Sequence, residues 1–287
     1  MRNTGGNKFS ENRAGRISSA VTLVILLGAA VFTLFPICIS ALNSLKTQGD
    51  MMNNILSLPE RLEFGNYADA FKKTSFPNSL MNTIVVAAVG LAGIILFAAM
   101  AGYKLCRTKS RLSGFLFGLF IMSMLIPFHS IMISLTRVAK NLTVQGSTIG
   151  LGFIYIGLGV PMAVFLYHGF VKSVPYELEE AAVIDGCGEI KLFFSVVFPL
   201  LLPVTATIAI LNTLWMWNDF LLPLLMLTDS SKYTILLSTN MLFGEYGNND
   251  WPAILSTLVM AMLPVIVVYL LLQKYIMNGI SEGAIKG

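Results

Sequence analysis

The sequence predicts an all-α, polytopic membrane protein with six transmembrane helices. Hydrophobic residues make up 55% of its 287 residues and charged residues only 12%, whereas soluble domains average about 45–50% and about 25%. Six windows lack Asp, Glu, Lys and Arg, and each exceeds the ~20 residues that cross a bilayer as a helix: 17–45, 74–103, 112–136, 141–171, 192–218 and 251–273. A β-barrel would instead show segments of about ten residues with alternating polarity.

Basic residues set the expected orientation. The loops and tails on the side of the N-terminus hold twelve Lys and Arg, against seven on the opposite side, so both termini are expected in the cytoplasm. The chain then divides into an N-terminal cytoplasmic tail (1–16), a first helix with its outer loop (17–76), a five-helix core (77–274) and a C-terminal cytoplasmic tail (275–287). The expected surroundings are a lipid bilayer, and no arginine-rich face points to a nucleic-acid partner.

Catalytic and metal-binding constellations are missing from the sequence. His129 and His168 have no partner at metal-ligand spacing, and the three cysteines are scattered. There is no Gly-x4-Gly-Lys-Ser/Thr sequence, so ATP and Mg²⁺ would have to bind to a separate ATPase subunit. We expect a chain that is not an enzyme, with no catalytic residue, metal or cofactor of its own.

Asp219 is the one acid in an apolar neighbourhood, and an intramembrane carboxylate raises the hypothesis of ion coupling. Counting from Leu200, about nineteen residues at 1.5 Å each place it roughly 29 Å along its helix, close to the outer interface. That position favours a structural role. Ion-coupled secondary transport nevertheless stays open, because prolines inside the spans are typical of the pathway-lining helices of such transporters.

Polar residues collect in the segment 175–199, which is expected to form a helix, a turn and a second helix. Three acids follow Pro175, where the helix macrodipole favours negative charge. Gly186 and Gly188 then mark a turn, and Pro199 interrupts the helical pattern that follows. We expect this hairpin to project from the cytoplasmic surface, with the transmembrane helices packing without it, and to serve as a docking element for a partner.

The hairpin resembles the EAA motif of ABC importer permeases, EAA-x3-G-x9-I-x-L-P. Glu180, Ala181 and Ala182 are followed at the required spacing by Gly186 and by the sequence VVFP that ends at Pro199. The stretches GNYADAF, WNDFLLPLLML and GISEGAIKG are also similar to carbohydrate-uptake permeases of the maltose-transporter type. The likeness is to their smaller six-helix subunit, a binding-protein-dependent transport system inner membrane component, and runs from about residue 67 to residue 287.

This resemblance implies a type I ABC importer transmembrane domain in a bacterial or archaeal cell membrane. The chain would form half of a sugar or oligosaccharide pathway with a second homologous permease, two cytoplasmic ABC ATPases and an extracytoplasmic sugar-binding protein. The hairpin residues implied to couple to the ATPases are Glu180, Ala181, Ala182, Asp185, Gly186 and Pro199, of which Asp185 occupies a variable position of the motif. The C-terminal residues implied to reach the ATPases are Gly283, Ala284, Ile285, Lys286 and Gly287.

Substrate contacts are the least defined part of the prediction. Sugar sites combine aromatic faces with amides and hydroxyls, and such side chains in the second and fifth windows are Asn82, Thr83, Asn212, Thr213, Trp215 and Trp217. In maltose-type systems the sugar lies largely in the partner permease, so these residues are alternatively bystanders. The resemblance further implies that Gly244, Tyr246 and Gly247 contact the binding protein, although a plain connector and a non-sugar solute both remain open.

Overall fold

A computed structural model describes the backbone of residues 6–244 and 249–284, with side chains at 19–244, 249–267 and 270. The described residues form helices joined by turns, and no β-strand occurs among them. The all-α class predicted from the composition is therefore confirmed.

Three continuous helices are long and apolar enough to cross a membrane: α1 (Gly6–Asn43), α4 (Phe76–Arg107) and α7 (Thr148–Val171). In α1 the apolar span comprises Ser19–Asn43. Helix α1 begins inside the segment 1–16 that was expected to be a loose tail, since that segment holds no proline to end a helix propagating from the apolar span.

The third window is not one straight helix. It contains α5 (Arg111–Met124) and α6 (Phe128–Asn141), which meet at 104°. Pro127 lies in the break with an extended backbone. Its missing N–H and its ring prevent the α5 hydrogen-bond pattern from continuing, so the helix ends before it. The single helix expected over 112–136 is wrong in that form.

The segment 175–218 holds a short hairpin that runs into a long helix. Its helices are α8 (Glu177–Ile184), α9 (Glu189–Leu192), α10 (Phe198–Leu200) and α11 (Leu202–Asn218), with one π-helical turn, Phe193–Val197, between α9 and α10. The stretch Glu189–Leu200 meets α11 at 76°. Pro203 in the first turn of α11 is compatible with a helix start at this bend.

Short helices and the last long helix complete the chain. They are α2 (Gln48–Asn53), α3 (Gly65–Lys73), α12 (Leu221–Met226), α13 (Ile235–Ser238) and α14 (Trp251–Ala284). Of the 34 residues of α14, the fully described part Trp251–Val267 is apolar. If each bent pair is counted as one crossing, the described residues hold up to five spans.

The main core lies where α4, α7 and α11 pack together. Ile94 and Ala98 of α4, Tyr167 of α7 and Ile208 of α11 are fully buried in one cluster. Gly102 allows α4 and α7 to approach closely, because a Cβ there would lie 2.7 Å from the Cβ of Tyr167. These three helices form the frame to which the hairpin is attached.

Candidate functional site

The turn of the hairpin is a glycine-dependent helix end. Gly186 has φ +79°, in the left-handed region. Its N–H donates to the Val183 carbonyl at 3.0 Å, and the Cys187 N–H donates to the Ala182 carbonyl at 3.0 Å. This pair of bonds is the Schellman motif, which requires a left-handed residue just beyond the helix end. A Cβ at Gly186 would meet nothing within 4 Å, so backbone conformation and not space demands glycine.

Helix α8 has a buried face and an exposed face. Glu179 and Ala182, three residues apart, are buried, whereas Glu180 and Ala181 are exposed with the turn residues that follow. The side chain of Ile184 is 85% exposed at the end of the helix. Of the six hairpin residues implied to couple to the ATPases, Ala182 alone is buried; the others are exposed.

A buried ionic cluster holds α8 against the C-terminal end of α4. The Arg107 guanidinium lies 2.6 Å from Glu179 Oε1 and also donates to it through Nε at 2.8 Å. The Tyr103 hydroxyl donates to Glu179 Oε2 at 2.8 Å, and Arg107 donates to the Val174 carbonyl at 2.8 Å. Both carboxylate oxygens therefore have charge-assisted or neutral donors, in a site where Glu179 is only 4% exposed.

A second ion pair joins α4 to α9, the helix after the turn, and it is exposed. Lys104 Nζ lies 3.2 Å from Glu189, with side chains 64% and 87% exposed. Such exposed pairs contribute about 0–1 kcal/mol, whereas removing one partner of a buried pair costs about 3–5 kcal/mol because the other charge is left uncompensated. The Arg107–Glu179 pair is the stronger attachment.

A cleft of about 730 Å³ lies between the C-terminal end of α4 and the hairpin. Tyr103 and Arg107 line it on the α4 side, and Glu179, Ile190 and Phe194 line it on the hairpin side. The rings of Tyr103 and Phe193 are in contact beside it, with centroids 5.5 Å apart. The ionic cluster and this aromatic contact both join α4 to the hairpin.

The second half of the hairpin is part of the core. Phe193 is 5% exposed and Val197 is fully buried, and both belong to the cluster formed with α4 and α7. The expectation that the whole hairpin projects from the membrane domain, whose helices pack without it, is wrong for this half. Leu192, Phe193 and Val197 are buried, whereas Ile190 is 74% exposed, and α8 and the turn are the outlying part.

The predicted substrate residues of α4 are engaged within the chain. Asn82 donates to the carbonyls of Ser231 at 2.9 Å and Tyr233 at 3.1 Å. The buried Thr83 hydroxyl accepts the Ile235 N–H at 2.9 Å. The two side chains fasten the N-terminal part of α4 to the segment before α13 and to the first residue of α13.

The predicted substrate residues of α11 have different surroundings. Asn212 is buried and donates to the Ile208 carbonyl, and the Trp217 indole donates to the Ala261 carbonyl of α14 at 3.2 Å. Trp215 is 39% exposed and packs edge-on against Tyr155, with ring centroids 5.2 Å apart. Thr213 is half-buried. Trp215 and Thr213 are the members of the predicted set with accessible surface and no hydrogen bond to another part of the described chain.

Asp219 has structural contacts on both carboxylate oxygens. The fully buried Tyr155 donates its hydroxyl to Oδ2 at 2.9 Å. Oδ1 accepts the N–H groups of Leu221 at 3.0 Å and Leu222 at 3.3 Å, at the start of α12. The carboxylate joins the outer end of α11, helix α7 and the first turn of α12, as expected for a structural role.

The loop before α14 is tied down at its base. Lys73 of α3 donates to Asp250 at 2.6 Å, and this hydrogen bond raises the pKa of the Lys73 ammonium. Gln48 donates to the Asn249 carbonyl at 3.0 Å. Gly244 lies in this loop without helical structure, and the predicted contact residues Tyr246 and Gly247 lie outside the described residues.

The C-terminal residues divide at the end of α14. Gly283 and Ala284 lie in its last turn, so the described helix extends well into the tail expected over 275–287. The remaining predicted contacts, Ile285, Lys286 and Gly287, lie outside the described residues.

Comparison with known proteins identifies relatives over nearly the whole chain. The family model described as "Binding-protein-dependent transport system inner membrane component" matches residues 93–282. The melibiose/raffinose/stachyose import permease protein MelC of Bacillus subtilis is 37% identical, over 96% of this chain and 100% of its own. The probable starch degradation products transport system permease protein AmyC of Thermoanaerobacterium thermosulfurigenes is 35% identical, over 92% and 96% of the two chains.

The fold also matches a solved structure. A chain of a bacterial ABC transporter involved in the import of the acidic polysaccharide alginate superimposes with a TM-score of 0.79 at 23% identity, covering 92% of this chain and 98% of that chain. These matches favour an importer permease over an ion-coupled secondary transporter. The chain belongs to the family of inner membrane components of binding-protein-dependent transport systems.

Proposed function

We propose that this chain is a permease subunit that imports a sugar or oligosaccharide and is driven by partner ATPases through the hairpin 175–199. The observation that carries the proposal is the exposed face of α8 with its glycine-dependent turn, held on a buried ion pair. The substrate class comes from the relatives MelC and AmyC, whose names refer to melibiose, raffinose and stachyose and to starch degradation products. A non-sugar solute is the alternative within the same family.

ATP hydrolysis belongs to two cytoplasmic ABC ATPases, which bind ATP and Mg²⁺. The coupling surface consists of Glu180, Ala181, Asp185 and the exposed apolar side chain of Ile184, with Gly186 holding the turn. Ala182 contributes from beneath by packing α8 on the frame. The residues 283–287 that end the chain are the second contact with the ATPases.

The complete pathway needs a second, homologous permease in the same membrane. The chain then crosses the bilayer six times, with each bent pair and α14 counted as one crossing. The apolar span of α1 exposes its side chains along most of its length. This surface suits lipid and the partner permease, either of which would remove it from water.

The substrate side of the proposal is the outer half of α11. Trp215 and Thr213 are the pathway residues, whereas Asn82, Thr83, Asn212 and Trp217 support them through contacts within the chain. An extracytoplasmic sugar-binding protein docks on the outer loops. Gly244, Tyr246 and Gly247 are its proposed contacts, since the anchored base formed by Lys73 and Asp250 would present that loop in a fixed place.

Reconstitution tests the function directly. The chain, its partner permease, both ATPases and the binding protein are placed in liposomes, and ATP hydrolysis and uptake are measured with α-galactosides, starch fragments, amino acids and peptides. Oligosaccharides are expected to stimulate hydrolysis and to be taken up, and a protonophore should have no effect. Stimulation by amino acids or peptides alone would establish the non-sugar alternative.

Labelling tests the orientation. Cys106 follows the apolar part of α4 and Cys187 lies in the hairpin turn, and both are partly accessible. With the N-terminus in the cytoplasm, a membrane-impermeant maleimide is expected to modify them in inverted vesicles and not in intact cells. Modification of either cysteine in intact cells would contradict the predicted topology and place the N-terminus outside.

A further inference from the structure

Helix α4 is attached at both ends to segments that lie far away in the sequence. Its inner end holds Glu179 and the Val174 carbonyl through Arg107. Its outer end holds the segment before α13, through Asn82 to two carbonyls and through Thr83 to the Ile235 N–H. One attachment therefore joins α4 to the hairpin, and the other joins it to the outer surface.

Between these attachments α4 is a continuous rod. It has 32 residues and its single proline, Pro77, lies in the first turn. At 1.5 Å per residue it extends about 48 Å. Tight contacts with α7, such as that at Gly102, keep it from bending independently. By contrast, the two helical stretches next to it, α5–α6 and α9–α11, are both broken by sharp bends.

We infer that α4 transmits the movement of the hairpin to the outer surface, and that Arg107 is the positioning residue that connects the hairpin to it. This inference rests on the proposed function of the hairpin. The argument is one of mechanics: the second half of the hairpin packs on α4 through Phe193, whereas α8 is bonded to α4 through Glu179, whose carboxylate is held by Arg107 and Tyr103. Displacement of α8 therefore acts on α4 through these bonds.

The geometry of the cluster suits force transmission. Two Arg107 nitrogens contact the same carboxylate oxygen, and Tyr103 contacts the other oxygen one helical turn away on α4. A planar guanidinium fixes direction as well as distance, which a lysine ammonium does not. Burial protects these bonds from solvent screening.

The test compares Arg107→Gln with Lys104→Gln in the reconstituted complex. Lys104→Gln is the matched control, because it removes a charge of α4 whose ion pair with the hairpin, to Glu189 of α9, is exposed. Amide hydrogen exchange is measured with and without a non-hydrolysable ATP analogue in the hairpin peptides (177–200) and the outer peptides (76–84 and 228–238). Wild type and Lys104→Gln are expected to respond to nucleotide in both regions.

Arg107→Gln is expected to keep the hairpin response and to lose the outer response, with binding-protein-stimulated hydrolysis reduced roughly tenfold or more. Arg107→Lys should recover part of the stimulation, because lysine retains the positive charge but lacks the planar set of N–H donors of the guanidinium. An outer response equal to that of wild type in Arg107→Gln would overturn the inference and leave the proposed function intact. A wild-type hairpin without any nucleotide response would instead remove the proposed function.

A second variant covers the case in which Arg107→Gln does not assemble. A combined variant, Asn78→Ala with Asn82→Ala and Thr83→Val, leaves the hairpin untouched and removes the side-chain bonds of α4 to the carbonyls of Ser231 and Tyr233 and to the Ile235 N–H. It is expected to keep the nucleotide response of the hairpin and of 76–84, and to lose that of 228–238. A normal response in 228–238 would show that α4 does not carry the movement outward.

Discussion

Replacing Gly186 by valine is expected to reduce sugar uptake to background while the two permeases still assemble. The φ of +79° places a side chain in the left-handed region, which costs an L-residue roughly 1–2 kcal/mol and a β-branched residue more. The Schellman bonds of Gly186 and Cys187 would then break, and the end of α8 would unwind. Because α8 carries the exposed coupling surface, its contact with the ATPase is lost although the core is unchanged.

A graded series separates backbone conformation from bulk. Gly186→Asn should retain most uptake, because asparagine tolerates the left-handed region, with Gly186→Ala intermediate and Gly186→Val inactive. Gly188→Ala is the matched control, since Gly188 has an ordinary φ of −70° and a Cβ there would meet nothing within 4 Å. Uptake and stimulated ATP hydrolysis are measured in the same preparation. Equal activity of Gly186→Val and Gly188→Ala would mean that the turn is not a coupling element.

Composition and spacing were sufficient for the class of the fold. Long uncharged windows have only one stable form in a bilayer apart from a closed barrel, because every backbone group must be satisfied internally. The helix end at Gly186 was also predictable, since glycine after a helical pattern marks a left-handed cap. Both inferences depend on local backbone chemistry, which the sequence states directly.

The bends were harder to predict. Prolines occur inside several spans, and Pro161 lies within the continuous helix α7 whereas Pro127 lies at a 104° break. A proline removes one N–H in either case, and neighbouring groups decide whether the helix continues. The sequence identifies the prolines at which a helix can bend, but not which of them lie at a bend.

The buried attachment of the hairpin left no signal in the sequence. Glu179 stands among three acids at a helix start, all of which the macrodipole explains equally well. Arg107 belongs to a basic turn that the membrane topology explains. They pair because the fold brings residues 72 positions apart within hydrogen-bond distance, and with one sequence no local pattern distinguishes Glu179 from its neighbour Glu180.

Replacing Asp219 by leucine is expected to lower the yield and thermal stability of the assembled complex severely. The substitution leaves the hydroxyl of the fully buried Tyr155 without its acceptor, and it removes the acceptor for the N–H groups of Leu221 and Leu222. A buried polar group without a partner costs about 1–3 kcal/mol. The loss concerns the junction of α7, α11 and α12, so the outer half of the pathway should lose its shape.

Asp219→Asn distinguishes this structural role from ion coupling. The amide oxygen of asparagine can accept the two backbone N–H groups, and its NH₂ can donate to the Tyr155 hydroxyl oxygen, so the groups stay in contact with the Tyr155 bond reversed, while the charge and the acceptor of the Tyr155 O–H are lost. We expect uptake within about twofold of wild type, because each bond changes by only roughly 0.5–1.5 kcal/mol or less. The measurement is ATP-driven uptake in liposomes at several pH values, with and without a protonophore. Abolished uptake in Asp219→Asn together with normal assembly would mean that the carboxylate charge itself takes part in transport, since geometry and packing would be the same in both proteins.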